Sequence, residues 1–147
     1  MSILEKIRAL ELPKNEFVVM GSAILDIKGI RKAEDLDIIV TEELFEDFKK
    51  SPAWEYKSKI GTLGGVKVES LGNHDGASLY KYIYGGGDID FFRNHQNRIE
   101  EIDGICFVSL SNLLEVKTSS WDRDKDKEDA KLIKDYLAKK ERSHYIP

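Results

Sequence analysis

Phe17-Val18-Val19-Met20-Gly21-Ser22 is followed, after a twelve-residue gap, by Asp35-Leu36-Asp37-Ile38-Ile39-Val40, and these two segments carry the strongest structural signals of the chain. The first apolar run predicts a short buried strand that ends at the Gly-Ser pair. Residues 23–28 predict the start of a helix whose amides are free to hold an anion. The second apolar run predicts another strand. The order is therefore strand, Gly-Ser turn, helix, polar loop and a strand that opens on an acidic pair.

Asp35 and Asp37 make half of a candidate metal site. Alternate residues of a strand face the same side, so both carboxylates are expected to project together while Leu36 and Ile38 enter the core. Two like charges held this close repel each other unless a cation lies between them, and oxygen ligands suit Mg²⁺ or Mn²⁺. An Asp-x-Asp pair by itself leaves a second interpretation open, namely solvated turn chemistry at a strand edge.

With the Gly-Ser turn in front of it, this segment resembles the signature of the nucleotidyltransferase-fold superfamily. That superfamily includes DNA polymerase beta, antibiotic nucleotidyltransferases and small toxin-type transferases. Arg31 lies where the toxin-type branch resembling AbiEii often has an arginine, although that branch usually has threonine where this chain has Ala33. The resemblance implies transfer of a nucleoside monophosphate from a triphosphate to an acceptor hydroxyl, with release of pyrophosphate. It also implies that Gly21, Ser22 and Arg31 contact the nucleotide and that Mg²⁺ or Mn²⁺ is the cofactor.

The family pattern calls for a third carboxylate on a later strand, flanked by apolar residues. Ile89-Asp90-Phe91 supplies one, and Asp88 competes for the role because it lies two positions earlier on the same strand face. Asp90 is favoured, since Asp88 still adjoins the triple glycine 85–87. In this scheme Asp90 also acts as the general base. The alternative is an edge strand whose inward-pointing charges block aggregation.

A further match lies near the C-terminus, where Leu113-Leu114-x-x-Lys117 precedes Arg123-x-Lys125-Asp126-x-x-Asp129. It resembles the helical segment that follows the catalytic sheet in the toxin-type branch. There the lysine points toward the nucleotide phosphates, and the later Arg and Asp residues fix the helix beside the site. Lys117 is therefore the candidate phosphate ligand, and a solvated lysine on an amphipathic helix is the alternative.

Other cofactor sites are disfavoured by the sequence. The acidic string from Asp122 has Lys127 and Ile133 where a calcium loop needs glycine and an acidic residue, so a helix that begins around Asp124 is the simpler account. The three histidines lack metal-ligand spacing, which argues against zinc. Neither a nucleophile elbow nor a Walker-type loop occurs.

Size and composition predict one globular domain over residues 1–147. The chain is 41% hydrophobic and 34% charged with a net charge of -4, so no global basic field attracts duplex DNA. The N-terminus lacks a signal peptide pattern and no stretch is long enough to span a membrane. Cys106 is the only cysteine, in an apolar run, and its thiol is expected to be buried. The expected compartment is cytoplasmic.

The remaining elements follow from periodicity and from glycine and proline punctuation. A helix is expected over residues 2–11, another from a Thr41 cap to about Lys50, and two more close the chain, with little fixed structure from Lys139 onward. Further strands are expected at Trp54 to Ile60, Val66 to Ser70, Leu79 to Tyr84, Ile89 to Phe92 and Ile105 to Val108. The fold class is α/β or α+β, a nucleotidyltransferase-like mixed sheet flanked by helices, with C-terminal helices.

The sequence leaves two questions about function open. The acceptor is a small molecule, a protein side chain or an RNA end. The chain is either an active transferase or an inactive module of the same fold that binds a nucleotide or a partner. A phosphatase with Asp35 as nucleophile fits less well, because the apolar residues follow that aspartate instead of preceding it. Aromatic residues at alternating strand positions, Trp54 and Tyr80 among them, either stack on a base or pack a sheet face.

Overall fold

A mixed β-sheet forms the centre of the molecule, with helices before, between and after its strands. The computed structural model describes residues 2–63, 66–82, 96–119 and 123–144. Within those ranges the helices are α1 (Ile3–Ala9), α2 (Ala23–Ile27), α3 (Glu42–Lys49), α4 (Leu110–Ser119) and α5 (Asp124–His144). The strands are β1 (Phe17–Met20), β2 (Leu36–Val40), β3 (Glu55–Leu63), β4 (Val66–Gly72), β5 (Ala77–Tyr82), β6 (Ile99–Ile102) and β7 (Ile105–Val108).

The seven described strands lie in the order β3-β4-β5-β2-β1-β7-β6. β2 is parallel to β5 and β1 is parallel to β7, whereas the other neighbouring pairs are antiparallel. Mixed pairing with helices between strands and at the C-terminus confirms the predicted α+β class. Because β1 and β2 are antiparallel neighbours, the end of β1 lies beside the start of β2.

The strands place alternate side chains on opposite faces of the sheet. Leu36, Ile38 and Val40 enter the main apolar core, which also receives Ile7 of α1 and Phe45 of α3. Burying a side chain of this size contributes about 1.5–3 kcal/mol relative to leaving it in water. The core face of β2 therefore fixes the register of the strand, and the residues between these apolar positions are turned to the opposite face.

Three of the described helices begin at hydroxyl caps, and at α4 the Ser109 side chain accepts a hydrogen bond from the Asn112 amide at 3.2 Å. The Ser2 side chain accepts a hydrogen bond from the Glu5 amide at 3.1 Å, and the Thr41 side chain accepts one from the Leu44 amide at 3.3 Å. Such a cap stabilises a helix by about 1 kcal/mol. The predicted helix start at Thr41 is confirmed.

A hairpin that the sequence prediction missed joins β6 to β7. Asp103 and Gly104 form its two-residue turn with φ angles of 51° and 79°. An Asp-Gly pair between apolar residues is a strong hairpin signal, because both turn positions need positive φ. The signal was present, but β6 carries two consecutive glutamates, which obscured its alternating pattern.

Most predicted boundaries hold within a few residues. β1, β2 and β7 have the predicted limits, and α5 begins at Asp124 as expected. The expectation of little fixed structure from Lys139 onward is wrong as far as His144, because α5 continues to that residue. The predicted strand at residues 89–92 lies outside the described residues. No helix in the described ranges is long and apolar enough to cross a membrane.

Candidate functional site

Residues of four neighbouring chain segments line up at one end of the sheet. Met20 is paired with Asp37, Asp37 with Ser78, and Ser78 with Gly72. Gly21 follows Met20 directly, so the Gly-Ser turn adjoins the second carboxylate of the acidic pair. The two sequence features that were twelve residues apart are therefore neighbours in space.

Gly21 adopts a left-handed backbone conformation with φ +63°. A Cβ atom at this position would lie 3.2 Å from Oδ2 of Asp37, tighter than ordinary packing allows. Both observations favour glycine, because it has no side chain and tolerates positive φ. The absent side chain lets the Asp37 carboxylate approach the turn.

We expect Gly21→Ala to lose about 1–2 kcal/mol of unfolding free energy from positive φ alone, and more from the contact with Asp37. Gly29→Ala is the matched control, since Gly29 has φ +73° and a Cβ there would meet nothing within 4 Å. Urea unfolding of both variants measures the difference. Equal losses would show that the contact between residue 21 and Asp37 has no energetic consequence.

The Asp37 carboxylate lies between the Tyr80 hydroxyl and the glycine turn. Its Oδ1 accepts a hydrogen bond from the Tyr80 hydroxyl at 3.0 Å, while Oδ2 faces the glycine turn. Its pKa is raised, chiefly by burial, with the Tyr80 hydrogen bond and the charge of Lys57 opposing and the charge of Asp35 adding to the rise. A partly desolvated carboxylate that is repelled by a second one is a group that a bound cation would stabilise.

Asp35 is exposed and precedes the first residue of β2. Burial is the main reason that the pKa values of Asp37 and Tyr80 are raised, and the charge of Asp35 adds to both rises, so Asp35 lies within electrostatic reach of both groups. Leu36 and Ile38 are buried in the core, as predicted. The acidic pair therefore sits at the sheet end beside the turn.

Two of the predicted metal-binding carboxylates lie in the described part of the chain. Asp35 and Asp37 supply oxygen ligands of the kind that Mg²⁺ and Mn²⁺ prefer. Both candidates for the third carboxylate, Asp88 and Asp90, lie outside the described residues. Among residues 2–63, 66–82, 96–119 and 123–144, no group of three or more His, Cys, Asp or Glu side chains could hold a metal ion.

Ser22 and Arg31 are in direct contact. The Ser22 side chain makes no capping bond to α2, and its Oγ accepts a hydrogen bond from Nη2 of Arg31 at 3.0 Å. Arg31 also donates two hydrogen bonds to the carboxylate of Asp129 on α5, from Nε to Oδ1 at 2.6 Å and from Nη2 to Oδ2 at 2.7 Å. A planar guanidinium bound in this way is geometrically fixed. Arg31 therefore ties the Gly-Ser turn to the C-terminal helix.

Lys117 is buried, with 4% of its surface exposed. Its Nζ lies 3.1 Å from Oδ1 of Asp126 and 2.9 Å from Oδ2 of Asp129. Arg123 reaches Asp126 from the solvent side, with Nε 2.8 Å from Oδ2. We call these residues and Arg31 the ion-pair network. The alternative of a solvated lysine is wrong, whereas contact between Lys117 and nucleotide phosphates stays a prediction.

The network keeps its two buried carboxylates ionised. Burial would raise the pKa of Asp129, but hydrogen bonds from Arg31 and Lys117 and their charges outweigh it, so the pKa is lowered. The pKa of Asp126 is lowered in the same way, with Arg123 and Lys117 opposing the effect of burial. Both groups therefore bind protons more weakly in the folded state than in the unfolded state.

This difference predicts acid sensitivity with a definite sign. The stabilisation by Asp126 and Asp129 is complete above the unfolded carboxyl pKa of about 4 and is lost as the pH falls through the lowered folded values. We expect the unfolding free energy to drop steeply below about pH 4 in urea titrations. The drop should be shallower for an Asp126→Asn, Asp129→Asn double variant and unchanged for Asp135→Asn, an exposed carboxylate of the same helix. Equal slopes in all three proteins would contradict the assignment.

Tyr80, Ser78 and Lys57 belong to the site but were not assigned to it from the sequence. Tyr80 packs against the small apolar cluster on the second face of the sheet, which confirms the face-packing interpretation of its ring. Lys57 donates to the Ser78 hydroxyl at 2.8 Å. The one available signal was Gly72, because glycine within a strand often marks a close approach of another group.

Comparison with known proteins gives no identification. No protein-family model matches the chain, and no curated protein is significantly similar to it. The site must therefore be interpreted from its own residues and geometry.

Proposed function

We propose that the protein is a metal-dependent nucleotidyltransferase that moves a nucleoside monophosphate from a nucleoside triphosphate to an acceptor hydroxyl and releases pyrophosphate. The observation that carries this proposal is the convergence at one sheet end of the glycine turn and Asp37, whose Oδ2 would be 3.2 Å from a Cβ on Gly21. Two further features support a close approach of the Asp37 carboxylate to the turn: the positive φ of Gly21 and the hydrogen bond from Tyr80 to Asp37.

The phosphate-binding half of the proposal rests on Ser22 and Arg31. Arg31 brings a guanidinium to the Ser22 hydroxyl, 3.0 Å away, and its orientation is fixed by Asp129. A hydroxyl that accepts one hydrogen bond still has its own proton to donate. Ser22 therefore donates to a phosphate oxygen, and the charge of Arg31 stabilises the negative charge that grows on the departing pyrophosphate.

The carboxylate half rests on Asp35 and Asp37, with Asp90 or Asp88 as the third member. These residues hold the divalent cation, which when bound neutralises phosphate charge and lowers the pKa of the acceptor hydroxyl. Tyr80 keeps Asp37 in one rotamer, so that no reorganisation is needed when substrate arrives. Asp90 accepts the proton of the acceptor hydroxyl as that oxygen attacks the α-phosphorus in line with the leaving group.

The ion-pair network contributes positioning. Lys117 and Arg31 share Asp129, so α4 and α5 are held against the loop that follows α2. Lys117 is the further candidate for phosphate contact. Because it is buried, it acts on the site chiefly by holding Asp129, which in turn fixes Arg31. The nucleotide-binding and metal-binding roles of these residues follow from the resemblance of their motifs to the nucleotidyltransferase-fold superfamily, and the packing of these residues supports those roles.

The acceptor is a small molecule, a protein side chain or an RNA end. A net charge of -4 offers no extended basic field for a long polynucleotide, which favours a compact acceptor. The compartment is proposed to be the cytoplasm.

Incubation with triphosphates radiolabelled at the α-phosphate and with Mg²⁺ tests the proposal. We expect label to appear in an acceptor together with free pyrophosphate, and chelation of Mg²⁺ to abolish both. Tight Mg²⁺-dependent binding without transfer to any small molecule, protein or RNA would instead identify an inactive nucleotide-binding module. Neither binding nor transfer would contradict the whole assignment.

A further inference from the structure

The Lys57 side chain crosses the sheet on the face that carries Asp37. It starts on β3, passes over β4 at Gly72 and donates to the Ser78 hydroxyl of β5 at 2.8 Å. A Cβ on Gly72 would overlap Cε of Lys57. The glycine therefore provides the path by which an ammonium group from the outer strand reaches the strand next to β2. There the charge of Lys57 acts on Asp37 and lowers its pKa against the effect of burial.

A cavity of about 320 Å³ opens beside this lysine. Its size falls at the lower end of the range for small-molecule sites, about 300–1,000 Å³. Trp54 gives it a fixed apolar wall, because the indole is 9% exposed and packs edge-to-face on Phe48 with ring centroids 5.4 Å apart. The lining residues include Trp54, Glu55, Lys57, Gly72 and His74.

The cavity and the glycine turn lie on opposite sides of Asp37. In the sheet order β3-β4-β5-β2-β1, Asp37 belongs to β2, the turn follows β1, and Lys57 extends from β3. All of them are at the same sheet end, because Asp37 is paired with Met20 on one side and with Ser78 on the other. A donor nucleotide held at the turn and a second molecule held in the cavity would thus lie on opposite sides of Asp37 at the same end of the sheet.

We propose that this cavity is the acceptor subsite, and that it takes a small organic acceptor with a flat apolar ring and a single carboxylate or phosphate that pairs with Lys57. The acceptor role rests on the nucleotidyl transfer proposed above. The ring packs on the wall formed by Trp54, and the anion meets the ammonium group beside Ser78.

The charges of the lining select against a polyphosphate. Lys57 brings one positive charge, and Glu55, which also lines the cavity, brings one negative charge. A triphosphate would find no excess of positive charge here, whereas a single anion can pair with the lysine while avoiding the glutamate. This distribution favours the acceptor over the nucleotide as the occupant.

Binding of benzoate, compared with its uncharged analogue benzamide, tests the subsite directly. In a Trp121→Phe background the indole N–H of Trp54 is the one indole signal in a ¹H–¹⁵N spectrum, because the chain has two tryptophans. We expect benzoate to shift this signal saturably and benzamide to bind at least about tenfold more weakly. Equal binding of both compounds, or no shift with either, would overturn the proposal.

Two variants locate the anion contact. Lys57→Met should weaken benzoate binding by about tenfold or more, whereas Lys14→Met, at the opposite sheet end, should leave it unchanged. Gly72→Ala keeps the lysine but blocks its path, and because the flexible end of Lys57 can move aside, the protein should fold and still lose benzoate affinity. Full affinity in both Lys57→Met and Gly72→Ala would show that the lysine is not the contact.

Addition of Mg·ATP distinguishes failure of the acceptor subsite from failure of the proposed nucleotidyl transfer. We expect benzoate to bind with similar affinity in the presence of saturating Mg·ATP, as a separate acceptor site requires. Competition between the two would overturn the acceptor assignment. Absence of Mg·ATP binding with intact, Lys57-dependent benzoate binding would contradict the nucleotidyl transfer and its acceptor role, while supporting the cavity as an organic-anion site.

Discussion

The Lys117→Met substitution is expected to lower the free energy of unfolding by about 3–5 kcal/mol relative to the wild type. Methionine fills much of the space of the lysine stem, so the loss comes from charge and not from a cavity. Asp126 and Asp129 are 0% and 1% exposed and both bond Nζ of Lys117. Removal of the shared cation leaves two buried carboxylates close together, and among the described residues Arg31 still pairs with Asp129 and Arg123 with Asp126. Urea unfolding at about pH 7 measures the effect.

Arg123→Met is the matched control for that experiment. The Arg123 side chain is 71% exposed, although it bonds the same carboxylate of Asp126. Exposed ion pairs contribute about 0–1 kcal/mol, so this variant should lose far less stability than Lys117→Met. Similar losses in the two variants would contradict the conclusion that burial of Lys117 makes it the central cation of the network.

Asp37→Asn is expected to have opposite effects on activity and on stability. Loss of a carboxylate that holds the metal should lower the transfer rate on the order of 10²-fold or more and abolish metal-dependent ATP binding. The variant should nevertheless melt at a higher temperature than the wild type in metal-free buffer at about pH 7. The amide keeps an oxygen that can accept from the Tyr80 hydroxyl, and it removes a charge that burial and Asp35 disfavour.

The sign of the stability gain follows from the raised pKa of Asp37. A carboxyl with a raised folded pKa contributes most at low pH, and that contribution is lost as the pH rises through the folded value. The advantage of Asp37→Asn should therefore disappear below about pH 4. Differential scanning fluorimetry over a pH series, with Asp47→Asn on the exposed face of α3 as control, measures it. A lower melting temperature together with unchanged Mg·ATP affinity would refute the assignment of Asp37.

The local elements of the site were predictable because their signals are local. An apolar run that ends in Gly-Ser and an apolar run behind Asp35 define β1 and β2 without reference to the rest of the chain. The cap at Thr41 is equally local, because its hydroxyl serves an amide three residues away. In each case burial of alternate residues and one turn or cap dictate the structure.

The contacts that hold the site together were not predictable, because they join distant residues. Arg31 and Asp129 are 98 positions apart, and nothing in either segment specifies the other as its partner. Lys117 sits on an amphipathic helix, where a lysine is usually solvated. It is buried here because the packing of α4 on α5 brings two aspartates to its Nζ. The path of Lys57 over Gly72 likewise depends on the order of three strands.

The same distinction applies to the outer strands. β6 was missed although its Asp103-Gly104 turn carries a strong signal, because Glu100 and Glu101 interrupt the apolar alternation. Glu100 pairs with Lys28, the residue that follows α2, at 2.5 Å, an interaction between residues 72 positions apart. In the sequence, a charged residue whose ion-pair partner is distant cannot be distinguished from a solvent-exposed loop residue.

A crystal structure with Mn²⁺ and a non-hydrolysable ATP analogue, in which anomalous scattering locates the metal, would show where the protein binds metal and nucleotide. We expect Mn²⁺ within about 2.3 Å of carboxylate oxygens of Asp35 and Asp37, with Asp90 or Asp88 as a further ligand and the triphosphate at Gly21 and Ser22. Metal and nucleotide bound away from the acidic pair, or an Asp88-Asp90 segment turned away from it, would rule out nucleotidyl transfer at this site.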